Sequence, residues 1–253
     1  MRFPVYIPLG SLRLHPHVVF ETLAYAIGFH WYLALRRRRG DVIADGTRWS
    51  IVAAAIAGAA IGSKFLYWFE DPPVTWQHLT DPVFLLQGKT IVGGLLGGLL
   101  AVESTKLAVG VTEATGDLFA VPLAIGIGIG RIGCFLTGLS DHTHGVETTL
   151  PWAVDFGDGV PRHPTQLYEA VFCAMLAVAL SRFSRRPHIN GDVFKRFMVG
   201  YLGCRFVLDF LKPDPAYGGL SSIQWAAAAA LVYYARVFWS RAPARPVDLA
   251  TRA

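Results

Sequence analysis

Three clusters of polar side chains interrupt an otherwise apolar chain, and each has the residue types for holding an anion or moving a proton. Arg131 follows the run Ile125-Gly-Ile-Gly-Ile-Gly130 and precedes Ile-Gly-Cys-Phe-Leu-Thr, which closes at Gly138. An arginine inside such a run is costly in a bilayer and needs a polar cavity, a partner or a ligand. The octapeptide Arg162-His-Pro-Thr-Gln-Leu-Tyr-Glu169 concentrates more chemistry at one helix entry than interface anchoring requires. Tyr201, Arg205 and Asp209, spaced i, i+4, i+8, share one helix face. Arg205 and Asp209 can neutralise each other there; equally, Arg131 and Arg205 offer an anion two cationic anchors suited to phosphate.

Other residues carry weaker signals. Glu21 is a carboxylate either inside the first apolar run or at its interface. Cys134 is a thiol beside a cation, or a small packing residue. His142 and His144 have the spacing of a loose metal pair, but without a third ligand they read as a solvated loop, and no metal is expected. The glycines Gly126, Gly128, Gly130 and Gly133 mimic a dinucleotide fingerprint, which needs a strand and a βαβ unit that a membrane span cannot supply. They read instead as positions of close helix packing, like Gly58 and Gly62, and Gly93, Gly94, Gly97 and Gly98. Asp155-Phe-Gly157 matches a kinase triplet without kinase context.

The elements that position these residues follow from composition. With 253 residues, 53% hydrophobic and 16% charged, and a mean hydropathy of +0.40, the chain has the profile of an all-α polytopic membrane protein forming a single membrane domain. Taking about 20 residues per span, seven transmembrane helices are predicted, near His17–Leu35, Trp49–Phe69, Ile91–Val109, Leu118–Thr137, Gln166–Leu180, Phe194–Leu211 and Ile223–Trp239. The net charge of +5 lies in clusters between apolar runs, a topology signal rather than a nucleic-acid surface.

Arg36 to Arg39, Arg48, Lys106, Arg182, Arg185, Arg186, Lys195, Arg196, Arg236, Arg241, Arg245 and Arg252 fall on one side. Only Arg2, Arg13, Lys89, Arg162 and Lys212 fall on the other, so the amino terminus is expected outside and the carboxyl terminus, with the tail 241–253, in the cytoplasm. Residues 1–16 do not form a signal peptide and read as a surface segment. Residues 138–165 form a long extracytoplasmic loop with the character of a lid. Cys134, Cys173 and Cys204 imply no disulfide framework.

Gly130-Arg-Ile-Gly-Cys-Phe-Leu-Thr-Gly138 resembles the Gly-Arg-[Ile/Leu]-Gly-Asn-Phe-[Ile/Leu]-Asn-Gly signature of the bacterial prolipoprotein diacylglyceryl transferases. Arg162 to Glu169 is similar to that family's Arg-His-Pro-Ser-Gln-Leu-Tyr-Glu, and Tyr201-x-x-x-Arg205-x-x-x-Asp209 to its Tyr-x-x-x-Arg-x-x-x-Glu. The resemblance runs from about Pro4 to Trp239 and includes the seven-span layout.

It implies a multi-pass enzyme of the bacterial inner membrane, with its site facing outwards. Such an enzyme moves the diacylglyceryl group of phosphatidylglycerol to the thiol of a prolipoprotein lipobox cysteine and releases glycerol phosphate. No cofactor is implied; the partners are phosphatidylglycerol, the lipobox peptide and membrane lipid, with no nucleic acid. By position, Arg131 and Arg205 would hold the phosphate, and Glu169 and Asp209 would orient the cations. Tyr201, Gln166 and Tyr168 would line the site, with Arg162, Gly138, Cys134 and Glu21 among the substrate contacts.

The family histidine at the start of the third span, often assigned a base role, is Val92 here. The signature asparagines are Cys134 and Thr137, the glutamate after the signature is Leu139, and a first-span tyrosine aligns with Glu21. His163, or less favourably Glu21, is the proton acceptor expected in place of the histidine. The alternative is a non-catalytic or acceptor-switched member that binds phosphatidylglycerol.

Overall fold

The computed structural model describes residues 3–239. Arg2, Arg241, Arg245 and Arg252, and with them the expected tail 241–253, lie outside the described residues. Helices dominate, and the chain divides into two compact units, one of residues 3–40 and 116–213, the other of residues 41–115 and 214–239.

The first unit opens with a hairpin, β1 (Ile7–Leu9) and β2 (Leu12–Leu14), turned at Gly10, whose φ of 61° a side chain would resist. Four long helices follow, α1 (Pro16–Arg39), α6 (Asp117–Thr137), α7 (Thr165–Phe183) and α8 (Asp192–Leu208). Pro16 suits the first helical position of α1, where its missing N–H costs nothing. Small residues on α6 let its neighbours close in. A Cβ on Gly133 would stand 2.6 Å from that of Phe20 on α1, and one on Gly128 would meet Cys173 on α7 at 3.3 Å. Asp117, at the start of α6, accepts the backbone N–H groups of Gly191 and Phe194 at 2.8 and 2.9 Å and so caps α8 from a neighbouring helix.

The loop after α6 is more ordered than a bare connection. It holds a 3-10 turn, Gly138–Asp141, and the antiparallel pair β3 (Val154–Asp155) and β4 (Pro161–Arg162). The stretch before β1, read from sequence as lying on a surface, packs on this end of α6: the Phe3 ring lies 5.8 Å from Phe135 and 5.1 Å from Phe156.

In the second unit, α2 (Asp45–Trp68), α3 (Pro72–Gln77), α4 (Pro82–Leu86), α5 (Ile91–Val109) and α9 (Ser222–Trp239) include the tightest helix pair among the described residues. Gly58 and Gly62 of α2 face Gly93 and Gly97 of α5 backbone to backbone. Arg48 is fully buried at the start of α2, where Asp41 takes two of its nitrogens and the Thr115 carbonyl a third at 3.0 Å. Thr90 caps α5 by accepting the Gly93 N–H at 3.1 Å.

Each of the seven predicted spans overlaps a helix. Five helical segments are long and apolar enough to cross a membrane: Pro16–Arg39, Asp45–Trp68, Ile91–Val109, Asp117–Asp141 and Thr165–Phe183. Their outward faces carry large apolar side chains, among them Tyr25, Ile56, Ile61, Leu100 and Val171, a surface suited to lipid. The segment predicted as 194–211 is shorter as a helix: α8 ends at Leu208 and passes into a 3-10 turn, Asp209–Leu211, before Pro213.

Candidate functional site

Three helices of the first unit meet at one carboxylate. Arg131 lies two turns from the end of α6, Glu169 in the first turns of α7, and Tyr201 and Arg205 one turn apart on α8. Oε2 of Glu169 stands 3.0 Å from Nε of Arg131 and 3.2 Å from Nη1 of Arg205, and Oε1 receives the Tyr201 hydroxyl at 2.7 Å. Nη2 of Arg205 donates to Asp209 at 2.5 Å, so the i, i+4 pairing of these two residues is formed. All five residues are buried, Glu169 and Arg205 to 2% exposure. Water cannot solvate these charges, so each is held by a partner within hydrogen-bonding distance.

The two arginines are not used alike. Arg205 gives nitrogens to two carboxylates, whereas among the described residues Arg131 meets one, and its Nη1 otherwise reaches only the Cys134 sulfur at 4.0 Å. Arg131 therefore keeps terminal N–H groups for a further acceptor. Gln166, one turn before Glu169, is 1% exposed, and neither atom of its amide has a hydrogen-bond partner among the described residues. A buried amide left unpaired costs about 1–3 kcal/mol, which a bound polar ligand would recover.

Cys134 touches this cluster through Arg131, whereas Arg162, His163 and Tyr168 make their hydrogen bonds to other partners. Arg162, on β4, donates through Nη1 and Nη2 to Asp158 at 2.7 Å and through Nη1 to the Val160 carbonyl at 3.1 Å. The bidentate Arg162 contact holds the exposed Asp158 carboxyl down at about 2. His163 Nδ1 lies 3.2 Å from the Tyr168 hydroxyl, which also receives the Trp152 indole N–H at 2.7 Å. No hydrogen bond or ion pair joins Arg162, His163 or Tyr168 to Glu169 among the described residues. Gly138 ends α6 with φ 76°, and a Cβ there would stand 2.7 Å from that of Phe3. Val92, at the position of the missing histidine, is buried in α5 of the second unit.

Sequence reasoning passed over His17 and did not connect Asp141 to any chemistry. The structure sets His17 Nδ1 2.9 Å from Asp141 Oδ1, with the Cys134 thiol beside both. Glu21 faces the other ring nitrogen of His17 at 3.5 Å and accepts the Tyr25 hydroxyl at 3.2 Å. The i, i+4 spacing of His17 and Glu21 was a visible signal; the pairing of positions 17 and 141 was not. His142 is exposed, and partly buried His144 is held below the ordinary histidine range first by burial and then by Arg162.

Residues 4–240 match the family described as prolipoprotein diacylglyceryl transferase. The chain is 32% identical over 231 residues to the phosphatidylglycerol–prolipoprotein diacylglyceryl transferase of Glaesserella parasuis, covering 84% of this chain and 81% of that one. It is 31% identical over 237 residues to the protein of the same name from Bordetella avium, 88% of each chain. With the Azotobacter vinelandii protein, again of that name, identity is 33% over 239 residues, 88% of this chain and 85% of the relative.

Proposed function

The chain belongs to the prolipoprotein diacylglyceryl transferase family, and from that membership we propose that it transfers the diacylglyceryl group of phosphatidylglycerol to the thiol of a lipobox cysteine, releasing glycerol phosphate. The observation that carries the reading to particular residues is the convergence of Arg131 and Arg205 on Glu169 inside the helices of the first unit.

In the reaction, sulfur attacks the glycerol carbon, a C–S bond forms, and the C–O bond to phosphate breaks with its electron pair left on the phosphate oxygen. Arg131 would meet that oxygen with the N–H groups Glu169 leaves spare, and Arg205, fixed by Glu169 and Asp209, would hold its position behind it. Gln166 and Tyr201 would line the headgroup, Gln166 supplying the amide that lacks a partner among the described residues. Gly138, Cys134, Glu21, Tyr168 and Arg162 would border the donor and the incoming peptide.

A thiol of pKa about 8.5 must lose its proton before it attacks. His163 is the group we assign to take it. Its ring stands at the entry to α7, hydrogen-bonded to Tyr168. In the arrangement we propose, seven helices cross the bacterial inner membrane, the amino terminus lies outside, and the site opens outwards. The distribution of lysine and arginine supports that orientation.

The test is incubation of purified protein with phosphatidylglycerol vesicles and a lipobox peptide. Peptide mass gain with glycerol phosphate release is expected, both lost in R131A. Transfer should fail in H163Q while headgroup binding persists, and full turnover there would sink the role of His163. Glycerol phosphate without mass gain would mean another acceptor. Bound lipid with neither product would leave a lipid-binding protein in place of the transferase.

A further inference from the structure

We propose that His17, Cys134 and Asp141 form a binding site for a divalent transition-metal ion of the zinc class. A ring nitrogen, a thiol sulfur and a carboxylate oxygen, brought from the start of α1, the end of α6 and the 3-10 turn, lie within 4.8 Å of one another. Donors held by one tetrahedral ion at about 2.0–2.3 Å stand roughly 3–4 Å apart, so the ion needs only small side-chain movements to be seated. A sulfur, nitrogen and oxygen set selects zinc, cobalt or a similar ion, whereas magnesium and calcium take oxygen ligands.

The neighbours of the donors carry the argument further than their spacing. Metal-bound imidazoles present one nitrogen to the ion while the other is held by a carboxylate or carbonyl. Here Nδ1 of His17 faces the cluster, 2.9 Å from Asp141 Oδ1, and Nε2 faces Glu21 Oε2 at 3.5 Å. The Tyr25 hydroxyl fixes Glu21 in turn at 3.2 Å. Asp141 is oriented in the same manner: Thr143 donates to Oδ2 at 2.7 Å, which leaves Oδ1 turned inward.

Arg131 lies 4.0 Å from the Cys134 sulfur, but its charge is already met by Glu169 and does not bar a second cation. Cys134 is buried, while the His17 side chain keeps 27% exposure, so the cluster has an entrance. On binding, the thiol gives up its proton and His17 ligates as the neutral ring, the protons passing to solvent. Three protein ligands leave a fourth position for water or another small donor.

Cobalt(II) tests the site without reference to turnover. Titration of the untagged, reduced protein in detergent with cobalt chloride should raise the visible bands of tetrahedral cobalt and a near-ultraviolet sulfur-to-cobalt band, both bleached by zinc. C134S should lose the sulfur band and C173S should keep it. E21Q, which leaves all three donors in place, should weaken cobalt affinity about 10- to 100-fold. Absence of the bands in the unaltered protein, their persistence in C134S, or their loss in C173S would overturn the proposal. Should C134S fail to fold, unchanged affinity in E21Q would overturn it instead.

Discussion

Tyr201 donates its hydroxyl to Oε1 of Glu169 across 2.7 Å, between α8 and α7, with both side chains buried. The other oxygen of that carboxylate accepts from Arg205 and forms an ion pair with Arg131, so the hydroxyl gives Oε1 its own partner. Y201F removes the donor and keeps the ring. It should cost about 1–3 kcal/mol of stability, read by thermal unfolding in detergent, because a charged oxygen then lies buried and unpaired. A melting temperature equal to that of the parent would show that the bond contributes nothing.

Backbone contact between α2 and α5 makes a contrast within one helix. A Cβ on Gly97 would lie 2.4 Å from the Gly58 carbonyl and 2.7 Å from Gly62 Cα, and neither atom can step aside. A Cβ on Gly94 meets ordinary contacts at 3.5 and 3.7 Å. G97A should therefore destabilise by about 1–3 kcal/mol or more. G94A should be neutral, or stabilising by up to about 1 kcal/mol through helix propensity. Equal melting temperatures for the two variants would contradict the close approach.

Asp117 caps a helix other than its own. D117A removes the acceptor of two N–H groups at the start of α8 and should cost about 1–2 kcal/mol. Hydrogen exchange localises the effect: amides of Gly191 and Phe194 should lose protection before the middle of α8 does. Uniform loss along α8, or none, would rule out a cap.

The Asp158–Arg162 pair sets a pH window. A carboxyl lowered in the folded state from 3.8 to about 2 stabilises above 3.8, and the contribution is lost as pH falls through about 2. In R162Q, Asp158 should titrate in the ordinary carboxylate range, which carbon NMR of the labelled side chain would record. An unshifted titration would mean that Arg162 is not the cause.

Much of the fold was legible because apolar runs of spanning length leave few alternatives to helix. The i, i+4, i+8 spacing likewise put Tyr201, Arg205 and Asp209 on one face before any packing was known. What the spacing could not carry was the identity of the meeting point. Glu169 becomes the shared partner of Arg131 only when α6 and α7 pack at Gly128 and Cys173, a contact between distant positions. The β1–β2 hairpin was hidden for another reason: its strands have three residues each, too few for alternation to emerge, and Pro8 sits inside β1. His17 was read as the first residue of a span, and its pairing with Asp141 depends on a turn that begins where α6 ends.

Among the four paired charges at Glu169 the sum is zero, two guanidinium groups against the carboxylates of Glu169 and Asp209. In the reading proposed above, an anion that joined them would be gripped by directed N–H groups rather than by surplus positive charge, and its departure would strand no bare cation in the interior. In the proposed reading, the same arginines without their carboxylates would hold a departing phosphate more tightly. On that proposal the acidic residues bear on release as much as on alignment.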